Sequence, residues 1–156
     1  MDAYARHGPA LVRKARRLLS NLADAQDIVH SLFLDLFSSG RTDLELPYLY
    51  RAVTHRCLTQ LRDQNNRARL LARQEPALRG MVRTRCDDEA IGLDLIAKVL
   101  SQLEPRAAEV LVYRYFDDLS QEEIAELVGL SRKTVGKLVK DVQDAVQRVR
   151  AAGEAP

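Results

Sequence analysis

Apolar residues recur along this chain at helical spacing, and one stretch where the spacing fails divides it in two. Leu11, Val12, Ala15, Leu18 and Leu19 share one side of a helix expected from about Pro9 to Ser20, with Arg13, Lys14, Arg16 and Arg17 on the other side. A second run, Ile28, Val29, Leu32, Phe33, Leu36 and Phe37, begins after Asp24, read as its N-cap, and stops at Ser38, Ser39 and Gly40. Pro47 suits a first helical position, and Tyr50, Val53, Cys57, Leu58 and Leu61 continue a buried face to about Arg62. After Leu71 the period decays. Pro76, Gly80 and the mixed polar run to Glu89 hold no sustained pattern, so residues 73–89 are read as a linker between residues 1–72 and a second unit at 90–152.

The second unit opens with Ile91, Leu95, Ile96, Val99, Leu100 and Leu103, and Pro105 restarts a helix that contains Val110, Leu111, Tyr113, Tyr115 and Phe116. Ser120 and Glu123 then have the spacing of a capping box, for a helix ending near Val128. From Leu119 to Val139 the text reads LSQEEIAELVGLSRKTVGKLV, which satisfies the constraints of a helix-turn-helix. Ala125 permits a close crossing, Gly129 takes the turn, Ser131 caps the next helix, and Ile124, Leu127, Leu130, Val135 and Leu138 form a shared core. The second helix of such a unit shows its N-terminal residues to the DNA major groove. Here those are Ser131, Arg132, Lys133, Thr134, Lys137 and Lys140, with Arg132 the best candidate for a base edge and the lysines for phosphates. The plainer alternative is a helical hairpin with a solvated basic face.

Composition supports helices packed on helices. Aromatic residues make up 5% of the 156 and Trp is absent, so an all-α protein of two small helical domains is expected. Net charge is only +2, but it is unevenly placed. Arg51 to Arg85 holds nine Arg against Asp63 and Glu75, a net of +7, while Asp87 to Glu126 holds eleven acids against Lys98, Arg106 and Arg114, a net of −8. The acids from Asp117 to Glu126 are read as a solvated face and a helix N-terminal charge preference. Cys57 lies on an apolar helix face and is read as a small core residue, and Cys86 falls in the linker. His7, His30 and His55 are scattered, so neither a metal site nor any other cofactor is expected. There is no Gly-rich phosphate loop, nucleophile elbow or paired-carboxylate site to suggest an enzyme. No secretory signal or membrane-spanning run is seen, which points to the cytoplasm.

Taken together, residues 5–150 resemble an extracytoplasmic-function sigma factor of bacterial RNA polymerase. Leu103, Pro105 and Arg106 in LSQLEPRAAEVLVYRYFDDLS stand where that family's C-terminal domain begins, ahead of its helix-turn-helix. ADAQDIVHSLFLDLF, from Ala23 to Phe37, is similar to the family segment that binds the coiled coil of the polymerase β′ subunit, with Asp24, Gln26, Asp27 and Phe33 at matching places. LPYLYRAVTHRCLTQLR, from Leu46 to Arg62, resembles the helix that meets the minus-10 element, and Tyr48, Leu49, Tyr50 and Arg51 follow its pattern. Many members carry an Asn after the Tyr-Arg pair and an Asp one turn later, where this chain has His55 and Thr59.

Capturing a base from an opened strand calls for planar side chains backed by cations along the phosphate path. Tyr48, His55, Arg56, Arg62, Asn65, Asn66, Arg67 and Arg69 are the candidates, whereas Tyr50 suits core packing equally well. The resemblance implies the polymerase core (β′ and β subunits) and promoter DNA as partners, and an anti-sigma protein as an inhibitor. Two other readings remain open at this point. One is a helix-turn-helix regulator whose N-terminal helices dimerise or sense a signal. The other is a degenerate sigma-like protein acting through protein contacts, to which His55 and Thr59 are the pointer.

Overall fold

Among the described residues every element of the structure, a computed structural model, is helical, as the periodicity requires. Residues 2–42, 44–74 and 87–154 are described, the side chains of 72, 74 and 87–94 excepted. Helix α1 spans Asp2–Leu19 and so begins ahead of its expected start, with Pro9 inside it. Proline costs a helix one backbone bond. The added N-terminal turns are anchored instead by Tyr4, which stacks on His30 and meets the Phe33 ring edge-on at 5.1 Å.

Helix α2 spans Leu22–Ser38, and its N-cap is Asn21, whose side chain accepts from the Ala23 N–H. Asp24 stands in the first turn, where a carboxylate suits the positive end of the helix, and is not the cap. Helix α3, Leu46–Gln74, runs well past Arg62, because nothing between Arg62 and Gln74 is a helix breaker. Helix α4, Asp87–Gln102, starts inside the stretch expected as linker; the remainder, residues 75–86 with Cys86, lies outside the described residues.

Pro105 opens helix α5, Pro105–Leu111, which passes into a π-helical turn over Val112–Phe116. The turn closes with the Asp117 N–H on the Val112 carbonyl at 3.1 Å, and Asp118 follows with φ +52°. Ser120 then makes both halves of the capping box with Glu123 at the start of helix α6, Gln121–Val128. These bonds to the carboxylate hold Glu123 below the usual carboxylate range. Gly129, at φ +70°, ends α6 in the left-handed conformation that a side chain would strain. Helix α7 spans Arg132–Glu154 and buries Val135, Val139, Val142, Ala145 and Val149 along one face.

The core has two parts. Ile124, Val135, Val139, Val110 and Tyr113 close the helix-turn-helix upon α5, with Leu127, Leu130 and Leu138 half-buried beside them. The larger part is continuous across both halves of the chain: Leu11, Ala15, Leu18, Val29, Leu32, Phe33, Leu49 and Val53 of α1–α3 join Val99, Leu100, Ala107, Ala108, Leu111, Val112, Val142 and Ala145. The two expected units are therefore packed on each other.

That packing corrects two expectations. Lys14, placed on the polar face of α1, is 1% exposed, and Asp117, placed on a solvated acidic face, has a side chain 2% exposed. The two meet at 2.5 Å. The surface of α1 that faces solvent in an isolated three-helix unit is instead covered by the π turn of the second unit, and each charge is matched by the other. Among the described residues no helix is long and apolar enough to cross a membrane.

Candidate nucleic-acid interface

The N-terminal turns of α7 present the groups expected from the sequence. Ser131, Arg132, Lys133, Thr134, Lys137 and Lys140 are all exposed, while Val135 and Val139 hold the opposite face in the core. The Ser131 hydroxyl accepts from the Thr134 N–H at 3.2 Å and lies 2.8 Å from the Thr134 hydroxyl, which fixes the first turn. Arg132 pairs with Glu122 of α6 at 3.0 Å, but both side chains are largely exposed, 70% and 59%. An exposed pair of this kind contributes little and is readily exchanged for a phosphate or a base. The result is a rigid helix end with hydroxyls, three lysines and one arginine in water.

The basic helix α3 is arranged differently. At its start Tyr48 is 42% exposed, and the Arg41 guanidinium lies 4.8 Å from its ring centroid, so a flat aromatic surface is backed by a cation. Further along, His55, Arg56, Asp63 and Arg67 line a groove of about 650 Å³ against Asp24, Ile28 and Ser31 of α2. Within it Arg56 donates to Asp35 at 2.6 Å and to the Ser31 hydroxyl at 3.0 Å. Asn65 is half-buried, Asn66 and Arg69 are exposed, and Arg62 is half-buried with its Nη2 buried and without a hydrogen-bond partner among the described residues. Thr59 turns its hydroxyl back to the His55 carbonyl, so it adds no free donor to the groove.

Two members of this helix face the second unit. His55 Nε2 is 3.1 Å from Glu109, and Arg51 donates to the other oxygen of the same carboxylate at 2.9 Å. Tyr113 also donates to Glu109, at 2.8 Å, and stacks on Tyr50 at 5.9 Å, so the half-buried Tyr50 packs between the two units. Burial works to raise the Glu109 carboxyl, but the hydrogen bonds from Arg51, His55 and Tyr113 outweigh it and hold the group below the usual carboxylate range. The Lys14 ammonium is pulled below the ordinary lysine value by burial, against the opposing pull of Asp117. It sits 3.8 Å from the Tyr50 ring centroid. Burial pushes the Cys57 thiol up to about 12, so it is an inert core residue.

On α2, Asp24 is half-buried and Gln26 and Asp27 are exposed. Phe33, expected among the polymerase contacts, is 2% exposed and packs on Tyr4 and Phe37, so it supports the helix from within. Besides Leu22 at its start, the exposed large apolar groups of α2 are Leu34, at 66%, and Phe37, at 49%. Both belong to the apolar period of the helix or sit beside it, so sequence pattern alone had no means of telling them from core. Lys14, Glu109, Tyr113 and Asp117, which organise the contact between units, were likewise not singled out. Their signal is pairwise in space and leaves no mark in linear spacing. Among the described residues no group of His, Cys, Asp and Glu has the arrangement of a metal site.

Comparison with known proteins agrees with this layout. Residues 3–67 match the protein family described as Sigma-70 region 2, and residues 93–141 match Sigma-70, region 4. The chain is 31% identical over 129 residues to a protein of Streptomyces coelicolor called RNA polymerase sigma-E factor, covering 81% of this chain and 71% of that one. A protein of the same name from Streptomyces avermitilis is 31% identical over 130 residues, covering 81% of this chain and 70% of its own length.

Proposed function

Given that the chain belongs to the sigma-70 family, as an extracytoplasmic-function sigma factor that directs RNA polymerase to promoters, we propose how its surfaces divide that work. The C-terminal unit, residues 90–152, reads the upstream minus-35 element through the N-terminal turns of α7. Arg132 takes a base edge there, Ser131 and Thr134 position the helix, and Lys133, Lys137 and Lys140 take phosphates. The N-terminal unit, residues 1–72, meets the minus-10 element along α3. Tyr48 offers the stacking surface, and His55, Arg56, Arg62, Asn65, Asn66 and Arg67 follow the strand. The exposed face of α2, with Asp24, Gln26 and Asp27 beside Leu34 and Phe37, docks on the β′ subunit of the polymerase core, which also contains the β subunit. Such a protein works in the cytoplasm, contributes specificity without chemistry of its own, and is open to control by an anti-sigma partner.

The observation that carries this reading is the exposure of all six residues at the start of α7 over a fully buried opposite face. Run-off transcription with purified core polymerase tests it. Promoter-dependent transcripts are expected with the wild-type chain, and Arg132→Ala should weaken selectivity for the upstream element by about 1–3 kcal/mol while leaving polymerase binding intact. Failure to initiate at every promoter offered, with polymerase bound, would sink the assignment.

A further inference from the structure

Glycine is the poorest helix former after proline, because it surrenders the most backbone freedom on folding, so a glycine in mid-helix calls for a physical reason. Two glycines of this chain have an internal one. Gly129 holds φ +70°, and a Cβ on Gly8 would lie 3.3 Å from the Tyr4 ring that crosses it. Gly136 is different. It sits in the second turn of α7, and among the described residues a Cβ built there would meet only the Gln121 side-chain oxygen, at 3.6 Å. That is an ordinary contact with the end of a flexible side chain. The fold has room for a methyl group at this position and loses helix stability by leaving it out.

The neighbours of Gly136 identify what the gap faces. On a helix surface the residues around position i include i−4, i−3, i+1 and i+4. Around Gly136 these are Arg132, Lys133, Lys137 and Lys140, all four exposed. The first turn of α6 borders the patch on the remaining side, with Gln121 over the glycine and Glu122 Oε1 3.0 Å from Arg132 Nε. A strip of bare backbone is thus framed by four cations. Such a frame suits a polyanion that comes closer to the helix than a side chain would permit.

We infer that Gly136 is the point of closest approach between α7 and the minus-35 duplex and a specificity-determining position, whose missing side chain lets the helix sink far enough for Arg132 to reach its base edge. The inference deepens, and rests on, the proposal that α7 reads the minus-35 element. The argument is one of lengths. A base-edge hydrogen bond holds over roughly 2.7–3.2 Å, whereas a methyl group raises the helix surface by about 1.5 Å. One methyl group is therefore enough to take Arg132 off its base. Phosphate contacts are more forgiving, because lysines are long and flexible and their charge acts over distance. A side chain at position 136 lowers the preference for the right sequence more than it lowers binding to DNA in general.

The test compares the wild-type chain with Gly136→Ala and Gly136→Leu, both of which raise helix propensity. The control is Gly153→Ala, at a glycine of the same helix with nothing described within 4 Å of a Cβ. In thermal melts of the full chain, Gly136→Ala should raise the midpoint by about 2–4 °C. The wild-type chain bound to core polymerase then enriches a duplex from a pool randomised over about one helical turn, and each holoenzyme is titrated with that duplex and with a scrambled one. Gly136→Ala should bind the enriched duplex about tenfold more weakly, and Gly136→Leu more weakly still. The scrambled duplex should stay within about twofold of wild type, and Gly153→Ala should match wild type on both. A gain in stability together with a loss of discrimination supports the inference, since a glycine needed for packing would lose both. Unchanged discrimination in Gly136→Leu overturns it and leaves α7 as the reader. So does a lowered midpoint in Gly136→Ala, which would show that the fold itself needs the glycine. Equal loss on both duplexes shows that the gap serves phosphates and not bases, and overturns the specificity role. No enriched duplex, or one that Arg132→Ala binds as tightly as wild type, refutes the minus-35 assignment and the inference with it.

Discussion

The two basic surfaces of this molecule are built on helices of similar kind but are kept in different states. At the start of α7 the cations point into water, and the ion pair of Arg132 with Glu122 is exposed on both sides. On α3, Arg56 is committed to Asp35 and Ser31, and Arg51 and His55 are committed to Glu109 of the other unit. One surface is presented and the other is partly occupied. The difference shows that positive charge in a sequence locates a binding face without saying whether that face is available. Availability depends on acids that lie far away along the chain.

The comparison can be broken most forcefully from the core of the presented surface. Ile124 is fully buried between α5, α6 and α7, and Ile124→Ala should cost the C-terminal unit about 2–5 kcal/mol. Binding of a minus-35 duplex should then collapse while binding of a minus-10 strand persists. Equal loss of both would show that the two surfaces do not fold independently. Next in size are the contact residues themselves. Tyr48→Ala should weaken strand binding by about 1–3 kcal/mol through lost stacking and leave duplex binding alone. Arg132→Ala should do the reverse, by a similar 1–3 kcal/mol and for specific duplexes only. Anisotropy titrations on both ligands separate these outcomes.

Smaller effects sharpen the contrast. Ser120→Ala removes half of the capping box and should lower the melting stability of the C-terminal unit by about 1 kcal/mol. The Glu109 carboxyl is depressed in the folded state, so its share of the contact between units is complete above the ordinary carboxylate value of 4.5 and is lost as pH falls through the folded value. Thermal melts at neutral pH and near pH 4 should therefore converge for Glu109→Gln faster than for wild type. Smallest is Lys140→Ala, which should reduce the salt dependence of duplex binding by about one phosphate contact and leave the preferred sequence unchanged.

Local features were legible from residues alone. The capping box, the left-handed Gly129, the Ser131 cap, the exposed row from Ser131 to Lys140 and the stop after Ser38 all appear where the text places them, because each is decided within a few residues. Ends of helices were less legible. Asn21 displaced Asp24 as the cap because either side chain can accept from a free N–H, and α3 outran Arg62 because charged and amide residues carry a helix without an apolar stripe. Burial of Lys14 and Asp117 was invisible, since each reads as surface until the other is placed beside it. Phe33 shows the opposite error: a residue matched to a docking role by position lies under the surface, packed on Tyr4 and Phe37.

The π turn at Val112–Phe116 sets a phase as well as a contact. It holds one more residue than an α-helical turn of the same span, so Tyr113 and Asp117 meet the N-terminal unit while Ser120 onward keeps its own heading. Deleting one residue from this turn would return it to regular α-helix and withdraw the extra residue that brings Asp117 opposite Lys14. Substitutions at the exposed Arg114 and Tyr115 should be tolerated far better than a change in the number of residues, so length variation within the segment would disturb the docking of the two units while leaving the helix-turn-helix itself intact.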